Sequence, residues 1–352
     1  MNRFDYVQPR NVDEAIAAAS APGSAYLAAG TNLLDLMKIG VATPARIIDI
    51  TRLPGLNEIS WLADGSVRIG ALVRNSDLAY DARFARTFPS VAEALLSGAS
   101  AQLRNAATVS GNLMQRTRCA YFQDLGSACN RRQPGSGCDA IGGENRLHAI
   151  LGWSEDCIAT HPSDFCVPLI ALDAVVEVVG PNGARNIPVE VLHRLPGATP
   201  DIETALQPGE LILAIRLPAQ AAVYARHARY LKLRERTSYA FAIVSAAVAL
   251  DISGDRIRTA RIALGGVAAK PWRAHAAEAT LENVAPTPEA FVKAAEHALV
   301  DARPSGDNAF KITLARNIVT RALALSCDGT PEDMPALPAS PFSASLGAPH
   351  AS

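Results

Sequence analysis

The sequence has almost no net charge, and this absence excludes the binding classes that need a strong electrostatic field. Its 352 residues include 33 basic and 34 acidic side chains, which gives a formal charge of -1. Proteins that bind nucleic acid or an anionic membrane surface usually carry a basic patch or run. We therefore expect neither nucleic-acid binding nor membrane insertion.

A long hydrophobic run is missing from the N-terminus. The opening stretch, MNRFDYVQPRNVDEAIAAASAPG, has early acidic residues and lacks the apolar core of a secretory signal or a transmembrane span. By its own sequence the chain is expected in the cytoplasm, where thiols stay reduced. Six cysteines in so long a chain are too sparse for a disulfide scaffold. A local group of them then favours metal or redox chemistry.

The sequence predicts an α+β architecture, because strand and helix patterns mix without the regular alternation of one doubly wound sheet. We expect a first α/β unit over residues 1–54 and a second region over 55–221, interrupted by an insertion at about 115–160. A C-terminal α+β domain is expected over 222–330. The last stretch, 331–352, is rich in Pro, Ala and Ser and is expected to be a flexible tail.

Two small-residue loops could hold a diphosphate, because such turns leave backbone N–H groups accessible beside hydroxyl and amide side chains. Neither loop has the GxGxxG or GxxxxGK[ST] pattern, which argues against a Rossmann domain or a P-loop ATPase. Routine β-to-α turns are the alternative. The first loop (27–34) comprises Leu27, Ala28, Ala29, Gly30, Thr31, Asn32, Leu33 and Leu34, and the second (108–112) comprises Thr108, Val109, Ser110, Gly111 and Asn112.

Three further residues could contact a cofactor. Asp164, in the run His-Pro-Ser-Asp, either caps the following helix or accepts hydrogen bonds from ribose or ribityl hydroxyls. Lys232 lies in a probable strand, where an exposed strand face is the usual reason for a lysine. If a flavin is present, Lys232 could stabilise its reduced form and Ile212 could pack on its ring.

Four cysteines fall close together in the insertion, with 9, 8 and 18 residues between them. A structural zinc site typically uses CxxC knuckles, and none is present here. A cubane iron-sulfur cluster accepts scattered thiolates, and nearby arginines would stabilise its negative charge. Free cysteines in a basic loop are the alternative. The four candidate ligands are Cys119, Cys129, Cys138 and Cys157, whereas Cys166 and Cys327 are expected to be small buried hydrophobes.

Five segments, in order, resemble the FAD-binding medium subunit of the xanthine dehydrogenase/molybdenum hydroxylase family: AAGTNLLDLMK, LRNAATVSGNL, HPSDFCVPLIALDAVVEV, LQPGELILAIRLP and ALGGVAAKPWR. The cysteine insertion is similar to that of the PaoABC-type periplasmic aldehyde oxidoreductases, whose FAD subunit holds a 4Fe-4S cluster. 4-Hydroxybenzoyl-CoA reductase, which has a related cluster, is the alternative within the family.

The resemblance implies a two-part vanillyl-alcohol-oxidase-type FAD-binding domain followed by a smaller α+β domain. It implies that both loops bind the FAD diphosphate, that Asp164 contacts the cofactor, and that Ile212 and Lys232 lie near the isoalloxazine. The first loop departs from the family at Ala29, where glycine is common. A methyl group there restricts the turn slightly without excluding phosphate contact.

The function implied is electron transfer within an aldehyde oxidoreductase complex. A large subunit with a molybdenum cofactor would oxidise an aldehyde to a carboxylate, and a small 2Fe-2S subunit would pass electrons to this FAD and on to an external acceptor. The 4Fe-4S cluster is then a relay or a structural staple. No catalytic residue is expected in this chain, and export with a signal-bearing partner would make it periplasmic.

Two rivals come from other classes of protein. A self-sufficient flavin oxidase would need its own substrate cavity and an acid-base pair, of which the sequence gives no convincing sign. A non-catalytic scaffold could use the cysteines to bind zinc.

Overall fold

The computed structural model describes residues 1–331. Within them the α+β prediction is confirmed, because three separate sheets alternate with thirteen α-helices. The predicted tail lies, from residue 332 onward, outside the described residues. Within 1–331, every helix is too short or too polar to traverse a lipid bilayer.

The N-terminal unit is built on a small parallel sheet of three strands in the order β1-β3-β2. Its elements are β1 (Asp5–Val7), α1 (Val12–Ala19), β2 (Ser24–Leu27), α2 (Leu33–Lys38) and β3 (Arg46–Asp49). The Asn11 side chain caps α1 by accepting a hydrogen bond from the Glu14 N–H. Because β3 lies in the centre of the sheet, Ile47 and Ile48 are fully buried.

The middle unit contains an antiparallel five-stranded sheet in the order β4-β5-β8-β6-β7. Its strands are β4 (Ile59–Trp61), β5 (Val67–Gly70), β6 (Val175–Gly180), β7 (Gly183–Pro188) and β8 (Leu211–Leu217). The run Gly-Pro-Asn-Gly lies between two β-branched runs and so predicts a hairpin. The prediction is confirmed, since Gly180 pairs with Gly183 across the turn.

Most helices of the middle unit lie between β5 and β6 along the chain. They are α3 (Asn75–Tyr80), α4 (Ala82–Thr87), α5 (Pro89–Ser97), α6 (Ala101–Ala106), α7 (Val109–Leu113), α8 (Ala120–Gln123) and α9 (Cys166–Ala171), with α10 (Val189–Leu192) after β7. A 3-10 helix, Ala219–His227, then leads out of the unit. The predicted domain divisions after 54 and 221 fall between β3 and β4 and within this 3-10 helix, and they stay predictions.

The C-terminal domain packs three helices on an antiparallel sheet in the order β12-β11-β10-β9. Its elements are β9 (Ala228–Leu233), β10 (Val244–Ser253), β11 (Arg256–Gly265), β12 (Trp272–Arg273), α11 (His275–Ala279), α12 (Pro288–His297) and α13 (Phe310–Asp328).

Strand β10 separates two hydrophobic cores, because successive side chains point to opposite faces of a sheet. Ala247 and Ala249 belong to the core of the middle unit, and Val248 and Leu250 belong to the core beneath α11, α12 and α13. The small alanine side chains leave room on the first face for α5, every residue of which is buried. The C-terminal sheet is therefore fixed against the middle unit.

The cysteine segment (115–160) contains one helix, α8, and is otherwise held by turns and side-chain bonds. The guanidinium of Arg132 donates to main-chain carbonyls of Tyr121, Phe122, Asp124 and Ser127. One partly exposed arginine therefore holds together the loop that carries Cys129, the second candidate ligand.

The main chain at residues 147–149 of the cysteine segment is anchored by Lys311 of α13 and by Asn308, just before that helix. Lys311 has no exposed surface, and its Nζ donates to the carbonyls of Leu147, His148 and Gly266 at 2.9, 2.8 and 2.7 Å. Asn308, also fully buried, donates to the His148 and Ala149 carbonyls at 3.1 Å. These bonds satisfy main-chain carbonyls that would otherwise be buried without a donor.

Candidate functional site

A cavity of about 730 Å³ lies where the N-terminal unit, the middle unit, the cysteine segment and the C-terminal sheet meet. Its volume is in the upper part of the range for small-molecule and cofactor sites. Among the residues that line it are Thr31, Gly111, Asn112, Cys119, His148, Asp164 and Lys232. The cavity is therefore lined by residues from both predicted loops and from the cysteine segment. It is also lined by Asp164 and Lys232, two of the three further residues predicted to contact a cofactor.

The first loop connects β2 to α2 and turns at Gly30, which has φ +76°. A Cβ at this position would lie 2.6 Å from Leu34 Cδ1, so both the backbone conformation and the packing require glycine. Among the described residues, the N–H groups of Thr31, Asn32 and Leu33 have no hydrogen-bond acceptor. Of this loop only Thr31 lines the cavity, and its N–H is the first of three successive open donors, an arrangement that suits an anionic group such as a phosphate.

The second loop differs from the first, although the sequence predicts the same type of turn. The N–H groups of Val109 and Ser110 donate to the carbonyls of Val73 and Ala71, and those of Gly111 and Asn112 donate to Thr108. Four of its five backbone N–H groups are therefore already bonded, and only that of Thr108, which does not line the cavity, has no acceptor among the described residues. Only Gly111 and Asn112 line the cavity, so close approach and the Asn112 amide are what this loop can contribute.

Asp164 and Lys232 form a buried ion pair in the cavity wall. Lys232 Nζ lies 2.8 Å from Asp164 Oδ2, and the two side chains are only 3% and 8% exposed. The Tyr230 hydroxyl donates to the other oxygen of Asp164, and burial together with this carboxylate raises the pKa of Tyr230 well above its usual value. The expectation of an exposed strand face is therefore wrong for Lys232, because β9 packs against α5.

The sequence left two roles open for Asp164, capping the following helix or contacting a cofactor, and the structure decides between them only in part. The Ser163 hydroxyl, rather than the Asp164 carboxylate, accepts from the Cys166 N–H at the start of α9. The carboxylate instead faces the cavity with partners on β9. Its predicted contact with a cofactor stays a prediction.

Ile212 is not brought to this site. It lies on β8, is almost fully buried in the core of the middle unit, and is not among the residues that line the cavity. Its predicted flavin contact also stays a prediction.

The four candidate cysteines converge, although long stretches of sequence separate them. Cys129 and Cys138 pair across an isolated antiparallel bridge, and Cys119 lies within electrostatic reach of both Cys129 and Cys157. Cys138 is likewise close to Cys157. All four are free thiols. Tertiary contacts thus bring together four cysteines that are far apart in the sequence.

The sulfur atoms of Cys119 and Cys138 face main-chain N–H donors. Burial raises the pKa of the Cys119 thiol to about 11, while the N–H groups of Phe122 and Tyr121 point at the sulfur and oppose this rise. Burial also raises the pKa of Cys138, against N–H donors from Ala140, Ile141 and Ile158. N–H groups directed at sulfur stabilise thiolates and are a principal influence on iron-sulfur sites.

The spacing of the sulfurs bears on the type of metal. Zinc bound at about 2.3 Å holds its thiolates roughly 3.8 Å apart. Over residues 1–331, the single group of three or more potential ligands within 4.8 Å of one another is His161, Cys166 and His193, so no three of the four sulfurs are that close. The four-cysteine set is therefore wider than a tetrahedral zinc site.

His161 and His193 are a buried neutral pair beside the cavity. Their ring centroids are 4.3 Å apart, and burial lowers the pKa of His193 to about 4 and that of His161 well below its usual value. Cys166 is fully buried next to them, as expected. Cys327 is half-buried at the end of α13.

Cys119 and its neighbour His148 lie where the four candidate cysteines border the cavity. Cys119 Sγ lies 3.2 Å from His148 Nε2, and both residues line the cavity. Polar atoms of Asn75, Arg118, His148 and His161 in the same wall are buried and have no partner among the described residues. Such atoms indicate a polar ligand, because buried polar groups are normally paired.

Sequence reasoning missed the loop between β9 and β10. Tyr239 and Phe241 line the cavity while remaining about half exposed, and the Arg118 guanidinium lies 5.3 Å from the Phe241 ring centre. Burial lowers the pKa of Arg118. The pairing of arginines with aromatic residues in RERTSYAFA was the available signal.

The sequence matches two family models. The model described as the FAD binding domain in molybdopterin dehydrogenase covers residues 2–220, and the CO dehydrogenase flavoprotein C-terminal domain covers residues 229–325. Together they span nearly all of the described chain.

Curated relatives match over their full length. The chain is 48% identical to the aldehyde oxidoreductase FAD-binding subunit PaoB of Escherichia coli K12, over 92% of this chain and 98% of that subunit. It is 30% identical to the carbon monoxide dehydrogenase medium chain of Hydrogenophaga pseudoflava, over 91% of this chain and 96% of that chain.

A solved structure has the same fold. It is the carbon monoxide dehydrogenase from Hydrogenophaga pseudoflava that lacks the Mo-pyranopterin moiety of the molybdenum cofactor. The TM-score is 0.73 at 30% identity, covering 93% of this chain and 98% of that chain. The predicted arrangement of an FAD-binding domain followed by a C-terminal domain is confirmed by these matches.

Replacing Lys232 should destabilise the protein, because it would leave the Asp164 carboxylate buried without its cation. We expect Lys232→Met to lower the free energy of unfolding by about 3 kcal/mol in urea titrations. Lys293→Met, which changes an exposed lysine on α12, is the control and should alter it by less than about 0.5 kcal/mol. Equal effects of the two substitutions would contradict the assigned role of the ion pair.

Proposed function

Because the chain belongs to the FAD-binding medium subunits of the xanthine dehydrogenase/molybdenum hydroxylase family, we propose that it is the electron-transfer subunit of a molybdenum-dependent aldehyde oxidoreductase. In this proposal it binds FAD in the cavity and a 4Fe-4S cluster on four cysteines. Its partners are a large subunit with the molybdenum cofactor, a small 2Fe-2S subunit and an external electron acceptor.

One observation carries the proposal: the cysteine group and the predicted FAD site share a wall. Cys119 and His148 line the same cavity as Thr31, Gly111 and Asn112. A cluster bound to Cys119 would therefore lie next to the cavity. This adjacency favours a relay over a purely structural staple.

The residues around the cavity fit FAD. The open N–H groups of the first loop suit the diphosphate, and the unpaired atoms of Asn75 and Arg118 suit its other polar groups. Asp164 and Lys232 would position hydroxyls or the ring edge. When bound, the flavin would supply a two-electron carrier between the partner's iron-sulfur centres and the acceptor.

The four cysteines fit a cubane cluster better than zinc. Their sulfurs are spaced more widely than a zinc ion allows, and main-chain N–H groups point at Cys119 and Cys138. Cys119, Cys129, Cys138 and Cys157 would each supply one thiolate. The cluster would add a one-electron carrier at the edge of the flavin site.

The substrate class follows from the similarity to PaoB, an aldehyde oxidoreductase subunit. Oxidation of the aldehyde to a carboxylate, with water as the oxygen source, is assigned to the large subunit. We assign no catalytic residue to this chain. Its side chains bind and orient the cofactors and keep the cavity wall closed.

We also propose that the chain reaches the periplasm by export with a partner that carries a twin-arginine signal, as its resemblance to the periplasmic aldehyde oxidoreductases implies. The complex should be found in the periplasmic fraction when the partner has its signal, and in the cytoplasm when that signal is deleted. Cytoplasmic location in both strains would overturn this proposal.

Anaerobic purification tests the cluster. We expect about four iron atoms, about four labile sulfides and one FAD per chain. Cys157→Ser should lose most of the iron, because it removes a thiolate ligand, whereas Cys327→Ser should keep it. Zinc without flavin in the wild-type protein would refute the proposal.

Substitution of Gly30 tests the FAD site. Gly30→Ala places a methyl group 2.6 Å from Leu34 Cδ1 and should weaken FAD binding to the apoprotein about tenfold in a fluorescence titration. Gly55→Ala is the matched control, since Gly55 also has a positive φ, +72°, but has nothing within 4 Å of the added atom. Unchanged affinity in Gly30→Ala would exclude the first loop from the FAD site.

A further inference from the structure

Arg131 is a buried cation beside the four cysteines. It follows Cys129 by two positions, its side chain is only 5% exposed, and its guanidinium interacts electrostatically with the buried Cys157. Its Nε has no partner among the described residues. Few arginines are buried this deeply, because removing a guanidinium from water is costly unless other groups compensate for it.

Glu203 holds Arg131 in place. Glu203 Oε2 lies 2.9 Å from Arg131 Nη1, and this glutamate comes from the connection between α10 and β8, outside the cysteine segment. The same carboxylate accepts from Arg116 Nε at 2.6 Å, and the Arg116 guanidinium lies 4.5 Å from the ring centre of Phe122. One carboxylate therefore serves two guanidinium groups, so this network has one more cation than it has anions.

Arg132, the next residue along the chain, has a different role. Its guanidinium donates to the main-chain carbonyls that shape the loop and makes no hydrogen bond to a cysteine sulfur within residues 1–331. Arg131, by contrast, makes no hydrogen bond to a main-chain carbonyl of the described residues and has only a carboxylate and a thiol as partners. Its placement is better explained by the charge it brings than by the folding of the loop.

We propose that Arg131, oriented by Glu203, raises the reduction potential of the 4Fe-4S cluster. This inference rests on the proposed function, since it concerns the cluster assigned there. Reduction adds an electron to a cluster that four thiolates already make anionic. A permanent positive charge against one thiolate, in surroundings of low dielectric constant, stabilises the reduced state more than the oxidised state.

The consequence is a more readily reduced centre at the wall of the flavin cavity. Arg131 touches no reacting atom and is a positioning residue. Because Glu203 lies outside the cysteine segment, the potential depends on how that segment docks against the rest of the middle unit.

Redox titration of the assembled complex tests this role, with the electron paramagnetic resonance signal of the reduced cluster as the readout. Arg131→Met and Arg131→Gln remove the charge and should make cluster reduction at least about tenfold less favourable, which corresponds to about 59 mV for one electron. Arg131→Lys keeps the charge and should stay within about threefold of the wild type. Arg194→Met, an exposed arginine on the same connection as Glu203, should change nothing.

Iron and FAD are quantified in each variant before titration, so that a lost cluster is not mistaken for a shifted one. If Arg131→Met loses its iron, Arg131→Gln provides the comparison with Arg131→Lys. Equal potentials in the lysine variant and a charge-free variant that retains iron would overturn the inference while leaving the cluster itself intact. A wild-type complex without iron would instead refute the proposed function.

Discussion

The ion pair between Asp164 and Lys232 is the constraint on which the cavity depends. Asp164 precedes α9 in the middle unit, and Lys232 lies on β9 of the C-terminal sheet, so the pair joins two parts of the chain. Lys232 also donates to the Ser97 carbonyl at the end of α5. Charges buried this deeply tolerate little separation. Both walls of the cavity are therefore held at a fixed distance, whatever occupies the space between them.

Local sequence patterns predicted the elements better than the site. The hairpin at Gly-Pro-Asn-Gly and the α+β class follow from short-range rules, and the structure confirms both. The two small-residue loops have similar sequences, yet three successive N–H groups are open in the first loop, whereas Val109 and Ser110 of the second are bonded to Val73 and Ala71. Tertiary packing determines those partners, and a local sequence motif carries no information about it. The burial of Lys232 was missed for the same reason.

The cysteines show what spacing can and cannot convey. Gaps without CxxC knuckles argued against zinc before any geometry was known, and the wide sulfur set agrees with this. The spacing gave no sign that Cys119 would also line the cavity, or that Arg131 alone among the local arginines would lie against a thiol. Side-chain direction decided both, and it depends on contacts with residues far along the chain.

The anchor supplied by α13 has a consequence for the order of biosynthesis. Lys311 and Asn308 fix the main chain at residues 147–149 of the cysteine segment, yet they lie at the start of the last helix of the described chain and just before it. A ribosome makes these residues more than a hundred positions after Cys157. The bonds that fix residues 147–149 can therefore form only after nearly all of the described chain has been synthesised, whereas the bonds of Arg132 need only its local neighbours.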